Sequence, residues 1–335
     1  MPNSHPAAQA AVSAAASLEE LDSATPGARQ REDGVSYPPA EFHWGWVPFA
    51  IFHVFAVPLA WWVGFSWEGI AWCVGMYYAR MLTVCLVYHR YFSHRSYQMG
   101  RVTQFVAACL AQTTMQKGVL WWAAHHRMHH RFSDQPGDPH SPILRGFWYA
   151  HVGWIVNRES DPTKFDKIKD FARFPELIWL NRWHFVPGFV LAALMYLIGG
   201  PVAFVWGYVI STVVLWHGTF TINSITHLYG VRRYKTTDQS RNSLIFAIVT
   251  CGEGWHNNHH HYQHSAAQGF VWWQIDFAYY VLKVAEALRL VRNVVKPSRE
   301  VLIEGGYVKP KASELKAPVA AIAVPVPAVA VETAS

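Results

Sequence analysis

The chain has 335 residues, enough for one or two soluble domains, but only 15% of them are Asp, Glu, Lys or Arg, against roughly 25% in an ordinary soluble domain. Aromatic residues make up another 15% and include 17 Trp, which excludes a disordered chain, a coiled coil and an acidic solvated protein. The formal net charge of +6 suits a membrane surface or an anionic substrate, and we expect no nucleic-acid partner.

Two long apolar blocks dominate the middle of the chain. The first runs from Trp46 to about Tyr88 and is interrupted at residues 64–69. The second runs from Phe185 to Ile222 and is broken at Gly199-Gly200-Pro201. A membrane span needs about 20 residues, so each block fits two helices joined by a tight turn. We therefore predict an all-α membrane protein with four transmembrane helices in two hairpins.

Composition also predicts the domain limits. Residues 1–40 are rich in Ala, Ser, Pro and Gln and lack the basic and apolar regions of a signal peptide, so we predict a disordered N-terminal tail. Residues 301–335 end in an Ala/Val/Pro repeat whose prolines disfavour helix and strand alike, and we predict a second disordered tail there. Residues 41–300 form one predicted membrane domain.

Basic residues are distributed unevenly around the predicted spans. The two hairpin turns hold no Lys or Arg, whereas 13 lie in residues 89–183 and 12 follow residue 228. Basic residues stay on the cytoplasmic side of a membrane. We therefore predict an integral, multi-pass protein with both termini and both long polar segments in the cytoplasm. A soluble protein with two buried helical hairpins is the alternative, and the uncharged turns disfavour it.

Two further stretches are amphipathic. Residues 101–123 are too polar for a fifth span and predict a helix at the membrane interface that ends at Trp121-Trp122. Residues 270–295 mix aromatic and aliphatic residues with Lys and Arg, which predicts an amphipathic helix. That helix fits equally well on the membrane surface or packed on the cytoplasmic domain.

Histidine is over-represented, with 19 residues. In an α-helix, residues at i, i+3 and i+4 share one face, so an HxxHH motif presents two or three imidazoles from one wall. Two such walls can enclose a pair of metal ions. HxxxxH does not share a face, because five α-helical residues rotate by about 140°. The motifs are HxxxxH (His89, His94), HxxHH twice (His126, His129, His130 and His256, His259, His260) and NxxxH (Asn223, His227).

The HxxxxH spacing carries its own expectation. We expect His89 to end the second span and His94 to follow a break, so that the two rings converge from different directions. Nine imidazoles without a thiolate do not resemble a Cys-rich zinc site, and the four Cys lie apart with no CxxC pair. Imidazole suits Fe, Zn, Cu and Ni alike, and nine ligands are too many for one tetrahedral ion. Two ions is the economical number, and ligand type alone does not choose iron.

Five segments of the sequence resemble the membrane-bound acyl-CoA desaturases, the family that includes the animal stearoyl-CoA desaturases and many bacterial relatives. The resemblance covers about residues 45–290 and implies four membrane helices under a helical cytoplasmic cap that holds a His-rich di-iron site. The segments are HRYFSHRSY at 89–97, WWAAHHRMHHRFSDQPGDPHSP at 121–142, HVGW at 151–154, NSITH at 223–227 and GEGWHNNHHH at 252–261.

By position, the resemblance implies that the nine motif histidines are iron ligands and that Asn223 holds an iron through a water. It implies two Fe ions as cofactors, O₂ as co-substrate, and removal of two hydrogens from adjacent methylenes of a saturated fatty acyl-CoA. The product would carry a cis double bond, most often at the delta-9 position. We find no HPGG-like haem-binding stretch and no Cys₄ cluster, so we expect a separate electron donor such as a b-type cytochrome or ferredoxin, with membrane lipid as a further partner.

Other candidate residues are less specific. Arg90, Arg127 and Arg131 lie beside the motifs and are candidates to bind the phosphates of a CoA headgroup. Tyr77 and Cys73 precede His89 by twelve and sixteen residues and share one helical face. In this family the acyl tunnel runs from the iron centre into the membrane, and we expect Tyr77 to close its far end.

Several histidines lie outside the metal-binding motifs, and other protein classes also carry clustered histidines. His125 stands where animal members carry an acidic residue, so their headgroup contacts do not transfer. We expect hydrogen-bonding roles for His125 and His261, and ordinary polar roles for His53 and His217. A related His-box enzyme (an acyl-lipid desaturase, a hydroxylase or an alkane monooxygenase) would share the motifs. A bis-His haem electron-transfer protein would place histidines near mid-membrane, and a metal transporter would carry more ionisable residues in its spans.

Overall fold

The computed structural model describes residues 29–30, 36–37 and 44–311 and is mostly helical. Shorter helical turns lie at Trp44–Trp46, Pro142–Arg145, Tyr149–Gly153, Trp154–Val156, Arg158–Ser160, Phe165–Lys167 and Lys169–Ala172. The longer helices are α1 (Val47–Val63), α2 (Trp67–Ser93), α3 (Arg101–Gln112), α4 (Val119–Phe132), α5 (Pro175–Arg182), α6 (Val186–Ser224), α7 (Leu244–Val249), α8 (His256–His261), α9 (Phe277–Ala287) and α10 (Arg299–Glu304).

Strand structure in the described residues is limited to two short antiparallel pairs. β1 (Arg29–Gln30) pairs with β2 (Ser36–Tyr37), with Arg29 opposite Tyr37. β3 (Gln98–Met99) pairs with β4 (Val291–Arg292), with Gln98 opposite Arg292. The predicted helical class is therefore confirmed.

Among the described residues, two helices, α2 and α6, are long and apolar enough to cross a membrane, and α1 is a shorter apolar helix. The four predicted spans therefore stay a prediction. Pro48 lies in the first turn of α1, where its missing N–H costs nothing. α1 is followed by Gly64, whose φ of +76° is a backbone angle that glycine adopts without steric cost. The turn to α2 is three residues long, and the Ser66 hydroxyl caps α2 by accepting a hydrogen bond from the Gly69 N–H at 3.0 Å.

The long helix α6 is interrupted where the sequence predicts a turn. Gly199 and Gly200 have non-helical backbone angles, and Gly200 has a φ of +61°. Pro201 follows at once and removes a backbone donor. The predicted break is confirmed, and it divides α6 into two apolar segments. Both α1 and α2 pack against the part of α6 that follows the break.

The C-terminal end of α2 differs from the expectation that His89 ends the helix. α2 continues to Ser93 and changes at Val84 from α-helical to π-helical geometry. The His94 N–H donates to the His89 carbonyl oxygen at 3.2 Å, which is the i→i+5 bond of a π turn. The wider turn brings the two imidazoles to a centroid separation of 4.7 Å. The expectation was wrong because it assumed α-helical rotation.

One buried cation joins the two long helices. Arg80 lies in the middle of α2, and its guanidinium donates to Thr212 Oγ1 at 2.7 Å and to Ser211 Oγ on α6. It also donates to the carbonyl oxygen of Thr113 at 3.3 Å. An ionisable group in an apolar helix is costly unless it is paired, so these bonds fix the register of α2 against α6.

Each amphipathic stretch contains a helix, but with other bounds than predicted. The prediction of one helix over residues 101–123 that ends at Trp121-Trp122 is wrong, because α3 ends at Gln112 and both tryptophans lie in α4. The stretch 270–295 contains the shorter α9. α3 exposes Val102, Val106 and Leu110, which lie one turn apart along a single stripe. α9 buries Ala278 and Leu282 and exposes Val281 and Val284 among its apolar residues. Both helices therefore carry an uncovered apolar face.

The tails lie mostly outside the described residues. Within the predicted N-terminal tail, the structure describes only β1 and β2. The chain divides into two compact units, with the boundary between Lys296 and Pro297. The predicted C-terminal tail begins at residue 301, but this residue lies inside α10. The Ser298 hydroxyl caps that helix by accepting a hydrogen bond from the Val301 N–H. The prediction of disorder is therefore wrong for residues 301–304, and residues 312–335 lie outside the description.

Candidate metal centre

The structure brings the nine motif histidines into two separate groups. In each group, one ring nitrogen from every residue lies within 4.8 Å of all the others. The first histidine group is His89, His94, His126, His130 and His259, and the second histidine group is His129, His227, His256 and His260.

Each HxxHH motif contributes to both groups. On α4, His126 and His130 face the first group while His129 faces the second. On α8 the assignment is reversed, since His259 belongs to the first group. The i and i+4 residues stack above one another on a helix, and the i+3 residue is rotated away from them. α4 and α8 therefore each contribute imidazoles to both groups.

Carboxylates hold three of the four imidazoles in the second group. His129 Nδ1 donates to Asp138 at 2.9 Å. His227 Nδ1 donates to Asp134 at 2.8 Å, and His260 Nδ1 donates to Asp238 at 2.8 Å. A carboxylate at Nδ1 fixes the ring and the tautomer, leaving the Nε2 lone pair for a metal ion.

The first group has one such carboxylate, Glu253. His89 Nδ1 lies 2.6 Å from Glu253 Oε2, and the other oxygen of Glu253 accepts from Arg90 at 3.0 Å. Arg90 also donates to both oxygens of Asp276 at 2.9 and 3.1 Å. Arg90 is only 1% exposed, so this buried ion network positions His89.

Several Nε2 atoms of these histidines face one another at short distance, an arrangement that a metal cation would stabilise. His89 Nε2 lies 3.0 Å from His259 Nε2, and His227 Nε2 lies 3.0 Å from His256 Nε2. Because Nδ1 of His89 and of His227 donates to a carboxylate, both Nε2 atoms present lone pairs. His260 Nε2 is buried without a hydrogen-bond partner. Metal ions would satisfy these nitrogen atoms.

Burial keeps most of these imidazoles neutral. Burial, with the neighbouring imidazoles, lowers the pKa of His94, His126, His130, His256 and His259 well below the ordinary histidine value. Burial also lowers the pKa of His260 to about 4, although Asp238 opposes it. Neutral imidazole is the form that binds a metal ion, so these six rings are ready to bind at neutral pH. His129 differs: burial lowers its pKa, but the carboxylate of Asp138 outweighs burial and the pKa is raised.

The donor set fits two ions. Five and four imidazole nitrogens suit first-row transition metals, including iron. Asn223 is half-buried on the last turn of α6, four residues before His227.

Three other histidines adjoin the motifs but belong to neither the first nor the second histidine group. His125 is buried and donates through Nδ1 to the Trp121 carbonyl oxygen at 2.9 Å. His261 stacks on Tyr234 with a centroid separation of 4.1 Å. His140 stacks 4.3 Å from His129 and forms a smaller potential ligand group with His129 and Asp138.

The three candidate headgroup arginines differ in availability. The prediction for Arg90 is wrong, because its guanidinium is buried and paired as described above. Arg127 makes two bonds to Asp170, at 2.8 and 2.9 Å, and donates to backbone carbonyls. Arg131 is exposed. A cavity of 420 Å³ is lined by Arg127, Arg131 and Arg95 together with His94 and His130 of the first group.

The two candidate tunnel residues lie on the buried face of α2. Cys73 and Tyr77 are both buried, and the Tyr77 hydroxyl donates to the Val249 carbonyl oxygen at 2.8 Å. A Cβ atom at Gly218 would lie 2.5 Å from that hydroxyl oxygen. Tyr77 therefore fills the space between α2, α6 and the end of α7.

Sequence reasoning missed the four carboxylates that hold the imidazoles. Asp134, Asp138 and Glu253 lie inside the quoted motifs, where their closeness to the histidines was an available signal. Asp238 lies in the loop after α6 and carries no local signal, since only tertiary folding brings it to His260. The role of Arg90 was missed for the same reason.

Comparison with known proteins agrees with this centre. The family model "Fatty acid desaturase" matches residues 66–292. The chain is 35% identical over 253 residues to the sn-2 palmitoyl-lipid 9-desaturase of Nostoc sp. (strain 36), a match that covers 74% of this chain and 88% of that protein. It is also 35% identical to the acyl-CoA 5-desaturase AL21 of Anemone leveillei over 238 residues, covering 70% of this chain and 74% of that protein.

A third relative is the Delta-9 desaturase-like 5 protein of Arabidopsis thaliana, which is 35% identical over 242 residues and covers 70% of this chain and 79% of its own. The three matches span most of each relative, and the residues that the family model matches include all of the histidine motifs. The chain belongs to the fatty acid desaturase family, whose members are oxidoreductases of lipid metabolism.

Proposed function

We propose that this protein is an O₂-dependent di-iron desaturase that places a cis double bond in a saturated fatty acyl chain. The observation that carries the proposal is the pair of imidazole groups, which share two helices and bring their ring nitrogens within 4.8 Å of one another. The proposed iron ligands are the nine histidines of the two groups, with Asn223 acting through a water.

Imidazole donors alone do not choose the metal, and family membership favours iron. Two bound irons would supply the activation of O₂ for removal of two hydrogens from adjacent methylenes. The protein's own residues hold the rings in place, through Asp134, Asp138, Asp238 and Glu253, and surround them with buried side chains. Burial excludes water and preserves a site in which an apolar chain can be oxidised selectively.

We also propose four membrane spans with both termini and the centre in the cytoplasm. The short turn between α1 and α2 and the break at Gly199-Gly200 support two hairpins. In such an arrangement, the C-terminal ends of α2 and α6 lie on one side, and these ends carry His89, Asn223 and His227. The basic residues of the chain belong to the same side, as the positive-inside rule requires.

For the substrate we propose acyl-CoA with delta-9 selectivity. Arg131 and Arg95 line the cavity that reaches His94 and His130, and guanidinium groups suit the phosphates of CoA. Acyl-lipid desaturation is the second candidate, since the Nostoc relative is named for a palmitoyl-lipid substrate. In either case the electrons come from a separate carrier, a b-type cytochrome, ferredoxin or similar.

Expression in a desaturase-deficient host with fatty-acid profiling tests the proposal. New cis-monounsaturated fatty acids should accumulate with the wild-type chain and not with a His130→Ala control. A hydroxylated product, or no change in profile from a protein that is present in the membrane and carries iron, would contradict desaturation. Purified protein supplied with acyl-CoA or with phospholipid in parallel then distinguishes the two carriers.

A further inference from the structure

The loop between α6 and α7 concentrates positive charge on its outer side. Residues 229–241, here called the 229–241 loop, contain four basic side chains and one carboxylate, Asp238. Asp238 is buried and turned inward to His260, whereas Lys235 is exposed. The outer surface of the loop is therefore basic, with two exposed apolar side chains beside the charges. The basic residues are Arg232, Arg233, Lys235 and Arg241, and the apolar ones are Tyr229 and Val231.

Hydrogen bonds fix the shape and position of the 229–241 loop. Val231 pairs with Asn242 through two backbone hydrogen bonds of 2.9 and 2.8 Å, which close the loop at its base. On the inner side, the buried Asn257 of α8 accepts from the backbone N–H groups of Arg233 and Tyr234, both at 2.7 Å. Because α8 also contributes imidazoles to both histidine groups, the basic surface has a fixed position relative to the metal centre.

Two short hydrogen-bonded routes connect this loop to the second histidine group. The Asp238 carboxylate accepts from His260 Nδ1 at 2.8 Å. The Gln239 N–H donates to Asp134 at 2.8 Å, and the same Asp134 oxygen accepts from His227 Nδ1 at 2.8 Å. Electron tunnelling weakens steeply with distance and with gaps between bonded atoms. Routes of one or two hydrogen bonds from a surface loop to an imidazole therefore suit the delivery of electrons.

The proposed function requires electrons to arrive more than once in each cycle. If it holds, each turnover is R–CH₂–CH₂–R′ + O₂ + 2 carrier(reduced) + 2 H⁺ → R–CH=CH–R′ + 2 carrier(oxidised) + 2 H₂O. A one-electron carrier must then bind, leave and be replaced while the acyl substrate stays bound. The proposed substrate site is the cavity lined by Arg95 and Arg131, so the carrier needs a different face. The 229–241 loop, all of which the structure describes, contributes no residue to that cavity.

We propose that the 229–241 loop is the docking surface for the one-electron carrier, which binds it through an acidic face. This inference rests on the proposed function for the role of the carrier, and on the charge and hydrogen bonds of the loop for its location. Tyr and Arg are enriched at protein interfaces, and electron-transfer complexes are small and weak. Complementary charge speeds association, which a carrier that is exchanged within each cycle needs.

Charge reversal at Lys235 tests the location by kinetics. The carriers are the soluble haem domain of a b-type cytochrome and a [2Fe–2S] ferredoxin, each chosen for an acidic surface. In Lys235→Glu, the KM for the carrier that supports turnover should rise several-fold at low salt, and the difference should shrink as salt screens the charges. Arg131→Glu is the matched control, because Arg131 is exposed but lines the proposed substrate cavity. It should raise the KM for acyl-CoA and leave the KM for the carrier unchanged.

Zero-length crosslinking gives a readout that needs no turnover. A carbodiimide joins a lysine amine to a carboxylate only where the two are in contact, and mass spectrometry identifies the joined residues. With the full chain in nanodiscs and the oxidised carrier, Lys235 should be joined to the carrier, whereas the exposed Lys169 outside the loop should not. Lys235→Arg keeps the charge and removes the amine. The crosslink should therefore disappear in Lys235→Arg while the KM for the carrier stays near the wild-type value.

A basic loop that follows an apolar helix can also bind anionic lipid headgroups, and lysine acetylation separates the two occupants. The oxidised carrier should slow the acetylation of Lys235, and exchange of phosphatidylcholine for phosphatidylglycerol in the nanodisc should not. Protection by phosphatidylglycerol would assign the loop to lipid and overturn the inference, as would an unchanged carrier KM in Lys235→Glu or the absence of a crosslink at Lys235. If Lys235 is joined to the carrier but the wild-type protein forms no double bonds, the docking surface stands and the proposed function fails.

Discussion

His129 and His130 are neighbours in the chain, yet their imidazoles belong to different histidine groups. The same separation occurs between His259 and His260 on α8, with the groups exchanged. Because α4 and α8 each contribute to both groups, neither ion would be bound by one helix alone. Binding of either ion would therefore clamp α4 against α8, and the two sites should assemble together.

The separation of the groups predicts the metal content of single variants. His130→Ala removes one of five nitrogens from the first group and leaves all four of the second. We expect the first group to bind its ion more weakly, so that bound iron falls below about two per chain, and we expect desaturation to be abolished, with the protein still in the membrane. Metal analysis of anaerobically purified protein measures this directly.

His261→Ala is the matched control, because His261 adjoins the same motif but stacks on Tyr234 outside both groups. It should keep about two irons and full activity. If His130→Ala also kept both irons and full desaturation, the assignment of His130 to the centre would be wrong.

The carboxylates on the second group give a second prediction. Asp238→Asn keeps the size of the side chain but removes the charge that holds His260 Nδ1. Replacing such a partner costs about 10–100-fold in metal affinity or activity. Competition between the protein and a chelator should show weaker iron binding in Asp238→Asn. Asp166→Asn, an exposed carboxylate paired with Lys167, is the control and should not change the affinity.

How far the sequence could predict this centre depends on the range of the interactions. The apolar blocks, the break at Gly199-Gly200 and the HxxHH motifs are local patterns, and the structure has helices and a break where these patterns indicate them. The number of membrane spans stays a prediction. The division of each HxxHH between two groups also follows from helical geometry. It was not predicted because the sequence does not say on which sides of α4 and α8 the partner rings lie.

Two features needed information that no local pattern contains. The π-helical segment that brings His94 beside His89 has no composition signal, because any α-helix can widen when tertiary contacts favour it. The ion network of Arg90 joins residues 163 and 186 positions apart. Such long-range pairs explain why Arg90 was mistaken for a headgroup contact.

The buried position of Arg90 gives a third prediction. Arg90→Leu would leave Glu253 and Asp276 buried without their common cation, which typically costs about 3–5 kcal/mol. We expect a markedly lower thermal unfolding temperature, measured by fluorescence in detergent. Arg101→Leu breaks an exposed pair with Glu176 and should change the unfolding temperature far less.

Kinetics separate this structural role from the headgroup role predicted earlier. In Arg90→Lys, which keeps the charge, the KM for acyl-CoA should match the wild type wherever the protein remains folded. Arg131→Ala removes an exposed guanidinium at the cavity and should raise that KM several-fold, with an effect that weakens as salt increases. A raised KM in Arg90→Lys without a loss of stability would restore Arg90 as a headgroup contact.

The final prediction concerns acyl chain length and Tyr77. The ring lies on the buried face of α2 against Gly218, with its hydroxyl bound to the Val249 carbonyl oxygen. If Tyr77 closes the far end of the acyl passage, Tyr77→Ala extends that passage and shifts products toward longer chains. The double bond should keep its distance from the carboxyl end, because the iron centre is unchanged. Tyr77→Phe keeps the ring and loses only the hydrogen bond, so its chain-length profile should match the wild type. Gas chromatography–mass spectrometry of products from mixed acyl substrates measures both variants, and an unchanged profile in active Tyr77→Ala would exclude Tyr77 as the residue that limits chain length.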